Sequence, residues 1–110
     1  VGIKQHAYIP SVQKISGTSL TTSYQEMATF DDDLFQLLIL NSCNRPIVIS
    51  LDGGVTDQFE LDGDDLILDM RANQIAIARP SIQIKALSEI PTSGSVRISA
   101  VENRAGRSYL

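Results

Sequence analysis

The stretch LFQLLILNSCNRPIVISLD, residues 34–52, decides the fold class. Its first seven residues are apolar except for Gln36, and by periodicity so short a run suits a buried strand or a helix segment equally. The next twelve residues separate the two. NSCNRP is a cluster of turn formers, and after it Ile47, Ile49 and Leu51 alternate with Val48, Ser50 and Asp52. An apolar run, a turn and a period of two describe strands joined by a short connection, with the odd-numbered side chains facing inward.

The same alternation recurs in Phe59 and Leu61, in Leu66, Leu68 and Met70, in Ile82, Ile84 and Ala86, and in Val96, Ile98 and Ala100. Each segment ends in Asn, Asp, Gly, Pro or Ser, as short loops between antiparallel strands require. Upstream, SLTTSYQEMATF (19–30) is a weaker, partly exposed strand with Leu20, Thr22, Tyr24, Glu26 and Ala28 on one face and Met27 on the other. No helical spacing is sustained over three turns. The expectation is an all-β fold of seven to eight strands, an antiparallel β-sandwich of jelly-roll or immunoglobulin-like type, ranked above a closed barrel. With 110 residues and 43% apolar content, one domain is expected. Its core spans residues 19–101, between an extended N-terminal arm (1–18) and a C-terminal tail (102–110).

Charge is unevenly distributed. The net value is −4, yet residues 31–70 hold ten acids and only Arg45, so the flanks are basic. Such a molecule repels a phosphate backbone, and no direct nucleic-acid partner is expected. An acidic centre between arms bearing Lys4, Lys14, Arg104 and Arg107 suits association between copies. No apolar run reaches the roughly 18 residues of a membrane span, and the N-terminus lacks the order of a signal peptide. A soluble protein made in a cytoplasm is expected.

The residues offer little chemistry. His6 and Cys43, one of each, exclude a multi-Cys zinc site and leave no Ser-His-Asp or Cys-His arrangement; Cys43 is expected to be buried and His6 to be a polar surface residue. Asp52, Asp57, Asp62, Asp64, Asp65 and Asp69 supply oxygen ligands of the kind calcium takes, but the EF-hand order is missing and calcium stays a minority reading. A glycosidase needs two carboxylates flanking a cleft, whereas Phe30, Phe35 and Phe59 lie in patterns that predict core. The Gly53-Gly54 pair and Ser93-Gly94-Ser95 are turns rather than phosphate loops, since neither is followed by Gly-Lys-Ser/Thr or opens a helix. No catalytic, metal-binding or cofactor-binding residue is assigned, and no cofactor is expected.

NSCNRPIVISLDGGVTDQFELDGDDLILDMRAN (41–73) followed by PTSGSVRISAV (91–101) resembles a pattern in small virion structural proteins of tailed bacteriophages. An Asn-rich turn leads to a strand ending in S-x-D-G, then to a T-D-x-F-x-L strand, a polar turn, and an apolar strand ending in Asp. A T-S-G-S-V strand follows near the C-terminus. The resemblance covers roughly half the chain. It implies a non-enzymatic β-sandwich present in many copies, decorating the capsid or forming a ring at the neck or tail.

The expected partners are therefore other copies of the chain and neighbouring capsid, neck or tail subunits, in a virion assembled in the host bacterial cytoplasm. The candidate contact residues are Lys4, Tyr8 and Lys14 in one arm, Arg104, Arg107 and Tyr109 in the other, and Asp31, Asp32 and Asp33 as an acidic counterpart. The alternative is a carbohydrate- or receptor-binding module, for which Tyr8, Tyr24 and Tyr109 are the available polar aromatics. An enzyme, with a raised-pKa carboxylate at Asp64 or Asp65, ranks third.

Overall fold

The apolar alternation forms strands wherever a second strand supplies hydrogen-bond partners and a facing layer removes the inward side chains from water. The computed structural model describes residues 7–8, 12–69 and 77–103. Nine strands are described: β1 (Ala7–Tyr8), β2 (Gln13–Ser16), β3 (Gln25–Thr29), β4 (Asp33–Asn41), β5 (Ile47–Ser50), β6 (Phe59–Leu61), β7 (Leu66–Asp69), β8 (Ser81–Ala86) and β9 (Ser95–Asn103). One 3-10 turn, Gly17–Ser19, comes directly after β2.

Two antiparallel sheets face each other. The first has the order β1-β9-β4-β7, with β2 also paired to β9; the second has the order β3-β8-β5-β6. The pairings are nested. β5 pairs with its neighbour β6, then β4 with β7, β3 with β8 and β2 with β9. The chain thus runs as one long antiparallel ladder closed at the β5–β6 turn and wrapped so that alternate rungs fall in opposite sheets. The all-β expectation holds. Pairing extends beyond the expected core at both ends, because residues 13–16 lie along β9 and β9 itself runs to Asn103.

One core lies between the sheets. Leu34, Leu37, Ile39, Val96, Ile98 and Ala100 come from the first, and Ile47, Ile49, Leu61, Ile82, Ile84 and Ala86 from the second. Burying each Leu or Ile contributes about 1.5–3 kcal/mol. Of the residues expected inward, Leu51, Phe59, Leu66 and Leu68 are partly buried against this core; Met70 lies outside the described residues.

Three expectations change. In β3 a register shift between Glu26 and Ala28 lets both Met27 and Ala28 pack on the core, so the strict alternation expected there fails. In β4 the register shifts between Leu34 and Gln36, and Phe35, the extra residue, stands outside the core cluster instead of in it. In β5 the two residues expected outward, Val48 and Ser50, are buried. The next segment of chain folds back on this side: the Gly54 N–H donates to Ser50 Oγ at 3.0 Å, and Asp57 reaches Lys85, which pairs with Val48 on β8.

Candidate functional site

Sequence singles out the terminal segments and Asp31–Asp33, and the register brings parts of them together within one molecule. Tyr8 pairs with Glu102 and Ala7 with Asn103, while Asp33 pairs with Asn103 from the other side of β9. Ala7, Asn103 and Asp33 therefore form one row across three strands. Lys14 is exposed on β2 opposite Arg97. Asp31 and Asp32 form the bend before β4, and Asp33 has an internal role: its Oδ1 accepts the Arg79 N–H at 3.1 Å. That bond holds Arg79 at φ 30°, a strained value for a non-glycine residue, just ahead of the buried Pro80. Lys4, His6, Arg104, Arg107 and Tyr109 lie outside the described residues.

A polar cluster forms where residues 51–58 cross the second sheet. The Tyr24 hydroxyl donates to Asp57 Oδ1, Lys85 Nζ lies 3.4 Å from the same oxygen, and the Lys85 ammonium sits 4.5 Å over the Tyr24 ring. Burial first, and then the hydrogen bond to Asp57, push the Tyr24 hydroxyl well above its ordinary value. The Asp57 carboxyl is held below its own, mainly by the bond from Tyr24. A Cβ on Gly54 would come 3.3 Å from Tyr24 Cδ2, so the ring is also close beside this loop. With Lys85 above it and its hydroxyl engaged, Tyr24 is committed to fastening the loop and is poorly placed to stack against a sugar.

Asp52 closes the same loop. Its Oδ1 accepts Ser50 Oγ at 2.6 Å and the Thr56 N–H at 3.0 Å. These bonds, led by the one from Ser50, lower its carboxyl to about 2. Asp65 caps a different strand end, where its Oδ1 accepts the Asn41 N–H at 2.8 Å. Among the described residues no three His, Cys, Asp or Glu side chains converge as a ligand set. The aspartates of residues 49–70 thus include Asp52, which satisfies a backbone N–H within its own turn, a task for which Asp is favoured, and Asp65, which satisfies one at the end of β4.

The segments 41–73 and 91–101 clasp each other through residues 42–44 and 92–95. Asn44 Oδ1 accepts the Thr92 N–H at 3.0 Å and the Ser93 N–H at 3.3 Å, and its Nδ2 donates to Thr92 Oγ1 at 2.7 Å. Ser42 Oγ donates to the Ser95 carbonyl at 3.2 Å and accepts the Ser95 N–H at 3.0 Å. Cys43 is buried beneath this clasp as expected, and burial raises its thiol pKa. Beside the clasp lies a surface cleft of about 400 Å³ lined by Leu40, Asn41, Ser42, Asp65, Ser95 and Arg97.

Sequence reasoning passed over Leu40, Ile67 and Arg97 on the outer face of the first sheet. A signal was present: LFQLLIL and LIL (66–68) are apolar at inward and outward positions alike, as in strands covered on both faces. No protein-family model, curated protein or solved structure matches the chain. Among the described residues no helix is long and apolar enough to cross a membrane.

Proposed function

We propose that the chain is a non-enzymatic structural protein of a tailed-bacteriophage virion, assembling in many copies with itself and with capsid, neck or tail subunits. The observation that carries this reading is the nested strand pairing, β2 with β9, β3 with β8, β4 with β7 and β5 with β6. Wrapped across two facing sheets, this is the pattern of a jelly-roll sandwich, which we favour over the immunoglobulin-like alternative. Jelly rolls recur in viral capsid and lectin domains. The step from fold to role is one of analogy. It is supported by the resemblance in residues 41–73 and 91–101, whose turns form the Asn44–Thr92 clasp. The acidic centre and basic flanks fit assembly into ordered arrays.

Mass spectrometry of purified particles, with sedimentation of the isolated protein, tests the proposal. The expected result is the chain in particles at many copies and concentration-dependent oligomers in solution. Its absence from particles would overturn the virion role.

Carbohydrate binding is the second reading, favoured by the cleft beside Leu40, where Arg97 and Asp65 offer hydrogen-bonding groups on either side. A glycan array decides it. Binding that is lost in Arg97→Ala would support the ligand-binding reading, and silence across the array would remove it.

A further inference from the structure

The two sheets differ in what covers their outer faces. On the second, Val48 is only 1% exposed, and Asp57 of the 51–58 loop reaches over to Lys85, the partner of Val48 on β8. On the first, Leu40 is 40% and Ile67 64% exposed, although these strands carry apolar residues on both sides. Contiguous exposed apolar surface on a sheet marks a contact site. The charge pattern around it identifies the occupant.

Lys14 pairs with Arg97, and Arg97 with Leu40. The β4–β7 register, in which Ile39 pairs with Leu66, puts Asp65 opposite Leu40 on the far side. One row across the face therefore runs Lys14, Arg97, Leu40, Asp65: cationic at one end, apolar in the middle, anionic at the other. The neighbouring row runs Ser99, Leu38, Ile67. A two-fold axis parallel to β4 through Leu40 turns each row onto itself reversed. It places Arg97 of one copy over Asp65 of the other, Leu40 over Leu40, and Ile67 beside the Leu38 pair. The surface is complementary to itself, as an isologous dimer contact requires.

We infer that the outer face of the first sheet docks a second copy of this chain, face to face about this two-fold, with Leu38, Leu40 and Ile67 at its centre and two reciprocal Arg97–Asp65 contacts at its sides. The inference rests on the self-association proposed above and specifies where it occurs.

Sedimentation velocity on the full chain tests it with Arg97→Glu, Asp65→Arg and Ile67→Glu. Each charge reversal alone sets like charges against each other twice per dimer and is expected to weaken association about tenfold or more. Mixing Arg97→Glu with Asp65→Arg restores opposite charges at both contacts, and a mixed dimer forms. Ile67→Glu, at an exposed position outside the core, abolishes the dimer while leaving thermal unfolding near that of the parent. It decides the matter alone if Asp65→Arg fails to fold. Oligomers insensitive to Arg97→Glu and Ile67→Glu would overturn this face while leaving self-association standing. A parent chain that stays monomeric would overturn both.

Discussion

The Cα of Gly94 lies against the main chain of Ser42: a Cβ added there would sit 2.1 Å from the Ser42 carbonyl oxygen and 2.7 Å from the Cys43 Cα. The glycine also holds φ at 93°, where a side chain is strained whatever the space. Gly94→Ala is expected to lower stability by roughly 2–4 kcal/mol, read as a lower urea midpoint at unchanged slope. A loss within experimental error would mean that residues 42–44 and 92–95 are not clasped in solution.

Asp52 gives the protein an acid limit. Its carboxyl is held at about 2, below the ordinary 3.8, so the folded state favours the ionised form. The stability this contributes is fully present above the unfolded value and is lost as pH falls through the folded one. Denaturation midpoints of the parent should therefore decline between about pH 4 and 2, and Asp52→Asn should flatten that decline. Parallel curves for the two proteins would contradict the Ser50 and Thr56 bonds.

Tyr24 sets a limit at the alkaline side. Its hydroxyl is raised above the ordinary 10, so the folded state favours the neutral form. That contribution is intact below the unfolded value and disappears as pH rises through the raised one. In an alkaline absorbance titration of the three tyrosines, one is expected to ionise late, together with loss of structure. Tyr24→Phe should remove this late step. If the step persists in the variant, the Tyr24–Asp57 bond is not formed in solution.

Cys43 is buried and its thiol is pushed up by burial, so little thiolate is present near neutral pH. A chromogenic disulfide reagent should react at the rate of unfolding in native buffer and promptly in denaturant. Prompt labelling of the native protein would show that the clasp above Cys43 opens readily.

The strand pattern was legible because the inward residues of β8 and β9 alternate without interruption, and Ile82, Ile84, Val96 and Ile98 are all buried. Alternation failed where the count of residues between ladder bonds changes. The irregularities at Met27 and Phe35 arise from strand partners more than 50 residues away, which no local window contains. The burial of Val48 and Ser50 escapes the alternation for a related reason. Both lie on the side where the 51–58 loop folds back, and the path of that loop is set by Tyr24 and Lys85, themselves distant in sequence. The candidate surface was half legible: Lys14 was singled out, whereas Arg97 and Leu40 became its neighbours only through the β2–β9 and β4–β9 registers.

β9 pairs with β1 and β2 on one side and with β4 on the other. Leu37 meets Ala100, and Lys14 meets Arg97. During synthesis β1, β2 and β4 therefore emerge long before the strand that joins them, and their ladders with β9 stay open until residues 95–103 have left the ribosome. Folding of the first sheet is thus expected to wait for that segment, with long loops to close and a correspondingly slow rate. Until then the edges of β2 and β4 are exposed to other nascent chains, and the interval between synthesis and closure is when aggregation competes with folding.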